Sequence, residues 1–260
     1  MELGLAGKTA LVTGGSKGIG LATALAFARE GCSIHLAARS ADALEAARAR
    51  IRATANVGVE VHALDLAKPD NVERLAASCR DVDILINNAG ATPTGPIEDA
   101  TDALWREGLD LKVIATVNLT RALYLVMKAR RDGVIVNVIG NCGERPDPEI
   151  IIATICNTGL MGFTRALGSV SPDHNVRVLG VNPGPTATER LVMLMKRKSA
   201  DRTGDPERWR ELVAPLPFGR AATPEEVAEM IVFASSRSAS FVSGTILTVD
   251  GGVSARGRLF

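Results

Sequence analysis

Residues 13–20 read Thr-Gly-Gly-Ser-Lys-Gly-Ile-Gly, with glycines at 14, 18 and 20 in the spacing GxxxGxG. Glycine permits a tight turn and leaves no Cβ between the backbone and a bound phosphate. The run follows a short apolar segment and opens an Ala- and Leu-rich one, which is a strand-to-helix junction. The free N–H groups and partial positive charge of a helix start favour a pyrophosphate at such a place. Gly14, Ser16, Lys17, Gly18, Ile19 and Gly20 are therefore candidate contacts to a dinucleotide. The second predicted strand ends Ala37-Ala38-Arg39-Ser40. A site for a free ribose 2′-hydroxyl usually carries a carboxylate there, and none is present. Arg39 can pair a 2′-phosphate through two N–H groups, with Ser40 beside it and Lys17 as a second cation. These residues point to NADP as the cofactor.

Other chemistry-bearing residues are sparse. Cys32, Cys79, Cys142 and Cys156 form no CxxC pair, and the three histidines are scattered along the chain, so no metal site is expected. Neither GxSxG nor HExxH occurs, which leaves hydrolase chemistry without support. A formal net charge of +1 gives no electrostatic case for nucleic acid or an anionic membrane. No apolar run reaches the roughly 18 residues of a spanning helix. Few cysteines and an acidic start without a secretory pattern predict a cytoplasmic protein.

The elements that must position the glycine loop follow a regular rhythm. Strands are predicted near 8–13, 33–38, 58–64, 82–86, 133–139, 175–182 and 244–249, and helices over 18–30, 41–54, 71–79 and 224–235. Such alternation predicts an α/β fold with a parallel sheet covered on both faces. A hydrophobic fraction of 46% with only 3% aromatics suits Ala- and Leu-rich helices packed on Val- and Ile-rich strands. No linker or repeat divides the chain, so one doubly wound Rossmann domain over 1–260 is expected. The Pro- and charge-rich segment 185–222 interrupts the rhythm as an insertion. Its Lys196-Arg197-Lys198 cluster reads as a solvated helix face, with a phosphate-bearing substrate as the alternative.

With these residues in place, the chain resembles the short-chain dehydrogenase/reductase family, of the classical type. Five motifs carry the resemblance in order: TGGSKGIG; Asp65-Leu66 after the third strand; Asn87-Asn88-Ala89-Gly90 after the fourth; Asn182-Pro183-Gly184-Pro185 with Thr186 and Thr188; and Val249-Asp250-Gly251-Gly252. The resemblance implies a seven-stranded parallel sheet and a homo-oligomer, dimer or tetramer. It also implies a small-molecule carbonyl or alcohol substrate. Asp65 and Leu66 would then contact adenine, Asn88, Ala89 and Gly90 would line the cofactor groove, and Pro183, Gly184, Thr186 and Thr188 would lie beside the nicotinamide.

One part of the family pattern is missing. Members carry a Ser, a Tyr, a Lys four residues later and an upstream Asn. Here the corresponding positions are Gly140, Ala153, Asn157 and Lys112. Residues 80–168 contain no serine and 129–195 no lysine, so a shift of register does not restore the set. The single tyrosine, Tyr124, lies twelve residues from Lys112, about 18 Å along a helix. Lys112 is then the candidate proton donor or base, with a pKa lowered by burial. The alternative is a structural lysine bonding backbone carbonyls at a helix kink. Cys142 and Cys156 read as buried, inert thiols. Ile150, Ile151, Ile152, Leu191, Met193 and Met195 are candidates for an apolar substrate pocket or for core. Two functions stay open: an NADP(H)-dependent oxidoreductase with a non-standard proton donor, or a non-catalytic NADP(H)-binding sensor or partner subunit.

Overall fold

Val- and Ile-rich runs form the strands β1 (Thr9–Thr13), β2 (Ser33–Ala38), β3 (Val59–Ala63), β4 (Ile84–Asn87), β5 (Gly133–Val138), β6 (Val176–Pro183) and β7 (Ile246–Val249). The computed structural model describes residues 2–256, and the expected domain limits at 1 and 257–260 lie outside them. All seven strands are parallel in one sheet, in the order β3-β2-β1-β4-β5-β6-β7. Parallel strands end together, so the loops after them line one edge of the sheet. The order reverses between β1 and β4, where a crevice for a ligand opens.

Helices cover both faces. Phe27 and Leu25 of α1 (Gly18–Arg29), Leu44 and Ile51 of α2 (Ala41–Thr54), and Val227 and Ile231 of a late helix over Pro224–Ser235 pack on one face. Leu75 of α3 (Pro69–Ser78) and Leu119, Leu123 and Met127 of α5 (Ala115–Arg130) pack on the other. Tyr124 is half-buried in that second layer. A shorter helix, α4 (Asp102–Leu109), leads into α5 through a π-helical turn over Asp110–Ile114. The helix α6 spans Ile151–Val170. The insertion at 185–222 folds as α7 (Glu189–Thr203) and the short α8 (Trp209–Val213), so Pro224–Ser235 is α9. Lys196 pairs with Glu207 at 2.6 Å on an exposed face, which fits the solvated reading of that basic cluster.

At the opposite edge of the sheet, Arg177 at the start of β6 gathers four carbonyls. Its guanidinium donates to Ala234, Ser235, Ser236 and Val242, at 2.7–3.3 Å. These oxygens belong to the end of α9 and the path into β7, where cations complement the helix terminus.

One expectation changes in space. The histidines are scattered along the chain, but pairing of β2 with β3 brings His35 and His62 within 3.1 Å of each other. Ile152, a candidate for an apolar pocket or for core, is 3% exposed and packs against Gly108.

Candidate cofactor and active site

The glycine loop turns from β1 into α1 with Gly14 and Gly18 at positive φ, +65° and +57°. Side-chain oxygens cap α2, α4, α7 and α9, whereas Lys17 leaves the start of α1 uncapped. The orphan N–H groups of that first turn are the donors a pyrophosphate needs. A Cβ at Gly20 would meet the Gly14 carbonyl oxygen at 2.3 Å, and one at Gly14 would meet Asn88 Nδ2 at 2.9 Å. The glycines thus let the loop close on the β4 loop. Thr13 holds the two together: its Oγ1 accepts from the Asn88 and Ala89 N–H groups and donates to the Ile86 carbonyl. Asn88 Nδ2 in turn donates to the Thr13 and Gly14 carbonyls. These residues fit a dinucleotide phosphate cradle.

The neighbouring candidates line the same edge. Ser16 and Ile19 are half-buried within the loop turn, while Lys17, Arg39 and Ser40 are exposed. Neither cation has an ion-pair partner among the described residues. The Ser40 hydroxyl accepts from the Ala43 N–H and caps α2. Asp65 accepts from the Ala67 N–H in a tight turn, and Leu66 is buried in the α3 face of the core. Past β6, Gly184 N–H bonds the Val249 carbonyl, and Thr186 Oγ1 donates to the Gly184 carbonyl. Pro183 is the last residue of β6, and Thr188 caps α7 and covers Gly18.

Lys112 enters from the π turn and is fully buried. Its Nζ donates to the Val138 carbonyl at 3.1 Å and the Ile139 carbonyl at 2.8 Å, at the end of β5. Its methylenes run beneath Gly90, where a Cβ would meet Lys112 Cδ at 2.3 Å. Burial lowers the Lys112 pKa to about 8, and nearby Arg190 acts in the same direction. Lys112 thus bonds two backbone carbonyls, and an ammonium has one further N–H beyond these two bonds.

Beside it, Asn157 Nδ2 donates to Cys142 Sγ at 2.9 Å, while Asn157 Oδ1 is buried without a partner. Burial pushes the Cys142 thiol up, against the Asn157 bond and the Lys112 charge. Gly140 has φ +140°, and a Cβ there would meet Asn157 Nδ2 at 2.6 Å. Glycine at 140 and asparagine at 157 are thus fitted to each other. Asn182 Oδ1 accepts from the Gly140 N–H, and Asn141 Nδ2 reaches Asp250 Oδ2 at 3.4 Å. Deeper, Asn87 Nδ2 donates to Thr120 Oγ1 and Asn137 Oδ1, and Asn137 Nδ2 to Thr164 Oγ1. This network locks β4 and β5 to α5 and α6. Sequence reasoning missed Thr13, Thr120 and Thr164, whose partners are far away in the chain; Asn137 inside a predicted strand and Asn87 just past another were the available signal.

The short chain dehydrogenase family model matches residues 8–199. The chain belongs to the short-chain dehydrogenase family. Among curated members of this family, an uncharacterized oxidoreductase, YvrD, of Bacillus subtilis is 31% identical over 97% of this chain and 98% of its own length. A gluconate 5-dehydrogenase of Gluconobacter oxydans is 33% identical over 96% and 95%. The solved L-sorbose reductase of Gluconobacter frateurii, complexed with NADPH and L-sorbose, superposes with a TM-score of 0.93 at 34% identity, covering 99% of this chain and 100% of that one. The fold is also that of a solved polyketide ketoreductase with NADPH and a 7α-hydroxysteroid dehydrogenase complexed with NADH. No helix among the described residues is long and apolar enough to cross a membrane.

Proposed function

We propose that this short-chain dehydrogenase is an NADP(H)-dependent oxidoreductase of a small carbonyl/alcohol pair, in which Lys112 holds the proton for the substrate oxygen. The observation that supports it most is the buried Lys112 amine itself. It lies between the Gly90 loop and the end of β5, and two of its N–H groups are occupied by the Val138 and Ile139 carbonyls. The carbonyls orient the amine, and the third N–H remains to meet a substrate oxygen. When bound, a nicotinamide held there would supply hydride chemistry at carbon. Arg39 and Lys17 bind the 2′-phosphate side, and the α1 amides bind the pyrophosphate. A group with pKa about 8 exchanges its proton near neutral pH, where general acid–base catalysis works best.

The sign of the pH dependence follows. Carbonyl reduction needs the ammonium, so its rate falls as pH rises through about 8; alcohol oxidation needs the amine and rises there. Lys112→Met should lower kcat by about 10²–10⁴-fold while NADPH still binds, measured on a panel of aldehydes, ketones and enones. Full activity in that variant would remove Lys112 from the chemistry. Gly140, Ala153 and Asn157 offer no acid, which favours the second reading, a non-catalytic NADP(H)-binding protein. NADPH binding with no turnover of any substrate would select it.

A further inference from the structure

Away from the groove, three soft donor atoms converge at the edge of the sheet. In the β2–β3 pairing, His35 faces Glu60 and Ala37 faces His62, so His35 and His62 are diagonal neighbours on one face. Cys79, at the end of α3, covers that face. His35 Nδ1 lies 3.1 Å from His62 Nε2, and Cys79 Sγ lies 3.4 Å and 3.6 Å from these two nitrogens. Zinc bond lengths of about 2.0–2.1 Å to nitrogen and about 2.3 Å to sulfur, at a tetrahedral angle, place ligand atoms about 3.3–3.6 Å apart. The two sulfur–nitrogen sides fall within that range before any ion is added, and the nitrogen–nitrogen side, at 3.1 Å, is slightly shorter.

Hydrogen bonds serve the trio less well. Each ring nitrogen has one in-plane proton or lone pair, so protons satisfy at most two sides of the triangle. The two rings lie at 16° to each other with their nitrogens face to face, and a turn of the rings would bring all three lone pairs onto one cation. The three side chains sit on two strands and a helix end, which hold them rigidly. Cys79 is fully buried and His35 is 8% exposed, while His62 is half-buried and leaves a way in. Glu60 stands at that mouth, its Oε2 3.9 Å from His35 Nδ1 and its side chain largely exposed. A thiolate and this carboxylate together offset a double positive charge.

We propose that His35, His62 and Cys79 bind a zinc-class divalent transition-metal ion, with the fourth position facing Glu60, as a structural clamp on the edge strand. The set of two imidazoles and a thiolate suits zinc(II) or cobalt(II) over magnesium or calcium. Uptake displaces the Cys79 thiol proton to solvent and changes no oxidation state. The ion would tie β3 to β2 and to the end of α3, and so hold the Asp65-Leu66 turn that follows β3.

Cobalt(II) titration of the chelator-treated full-length protein tests this. One ion per chain is expected, with tetrahedral ligand-field absorption and a thiolate-to-cobalt charge-transfer band, displaced by zinc(II). Outer-shell changes alone cost about 10–100-fold in metal affinity. His62→Ala, at a half-buried position, should therefore weaken binding by more than about 100-fold. Cys79→Ala should abolish the charge-transfer band, and His174→Ala, at the remaining histidine, should change neither. An octahedral spectrum, no binding in competition with a weak chelator, or equal affinity in wild type and His62→Ala would overturn the proposal. Should Cys79→Ala fail to fold, His62→Ala decides alone.

Discussion

Arg39 is exposed at the end of β2, one loop away from the glycine turn and from Lys17. Its guanidinium has no ion-pair partner among the described residues, and the proposed NADP(H) reading gives it a 2′-phosphate. Charge-assisted hydrogen bonds contribute about 1.5–3 kcal/mol, and 1.4 kcal/mol is tenfold in affinity. Arg39→Asp should therefore weaken NADPH by about 10–100-fold and leave NADH little changed or improved, as fluorescence titration of both would show. Equal affinities in the wild type would remove Arg39 from the cofactor site. At this scale the residue types were readable in the chain: glycines where a Cβ would strike backbone, and Arg39 where a carboxylate is usual. Their partners were not. Lys112 finds the Val138 and Ile139 carbonyls 26 and 27 residues away, and Asn157 finds Cys142 across a turn. Only the packing of α5 and α6 on β5 brings those atoms together.

Helix ends show why some elements were legible to the residue and others were not. The expected helices at 41–54 and 224–235 agree with α2 and α9 because Ser40 and Thr223 cap their first turns. The α9 cap is a complete box. Thr223 Oγ1 accepts from the Glu226 N–H, and the Glu226 carboxylate accepts from the Thr223 N–H and from both ends of the Arg220 guanidinium. The Arg220 bonds, then the Thr223 N–H, hold the Glu226 pKa down at about 2 from 4.5. A carboxylate depressed on folding stabilises above its unfolded pKa, and that contribution is lost as pH falls from about 4.5 toward 2. Glu226→Gln should flatten this part of the acid limb, measured as urea midpoints between neutral pH and pH 3. An unchanged slope would mean the pair is screened away by solvent. The π turn at 110–114 gave no such signal, since one extra residue per turn scarcely disturbs an apolar pattern. Likewise β7 is shorter than its apolar run, because Gly244 has positive φ and packs its N–H on the Val178 carbonyl.

For the molecule as a whole, alternating strands and helices with short joins left little choice but a parallel sheet clothed on two sides, and the seven strands follow. What alternation alone does not tell is which chain distances collapse. His35 and His62 meet because edge-strand register places them diagonally, and β7 returns beside β6 so that Asp250 reaches Asn141 across 109 residues. Pairing of β7 with β6 and the Gly244 N–H on the Val178 carbonyl hold that return along its length, and Arg177 adds a fastening at its far end. Arg177 collects the oxygens from Ala234 to Val242 on the side of the sheet remote from the groove. Truncating it to alanine takes the donor from the Ala234, Ser235 and Val242 carbonyls, while the Ser236 carbonyl keeps the Ala239 N–H; each acceptor left unserved indoors costs about 1–3 kcal/mol. The seam it closes lies at the entry to the final strand, upstream of the β6–β7 ladder that carries Asp250. Arg177→Ala should thus unpick the C-terminal run from the far end. Limited proteolysis would nick the stretch after 236 first, and KM would rise more than kcat falls, a remote lesion presenting as a fault in substrate capture. A variant whose protease map and KM match the parent would show that the seam holds without it.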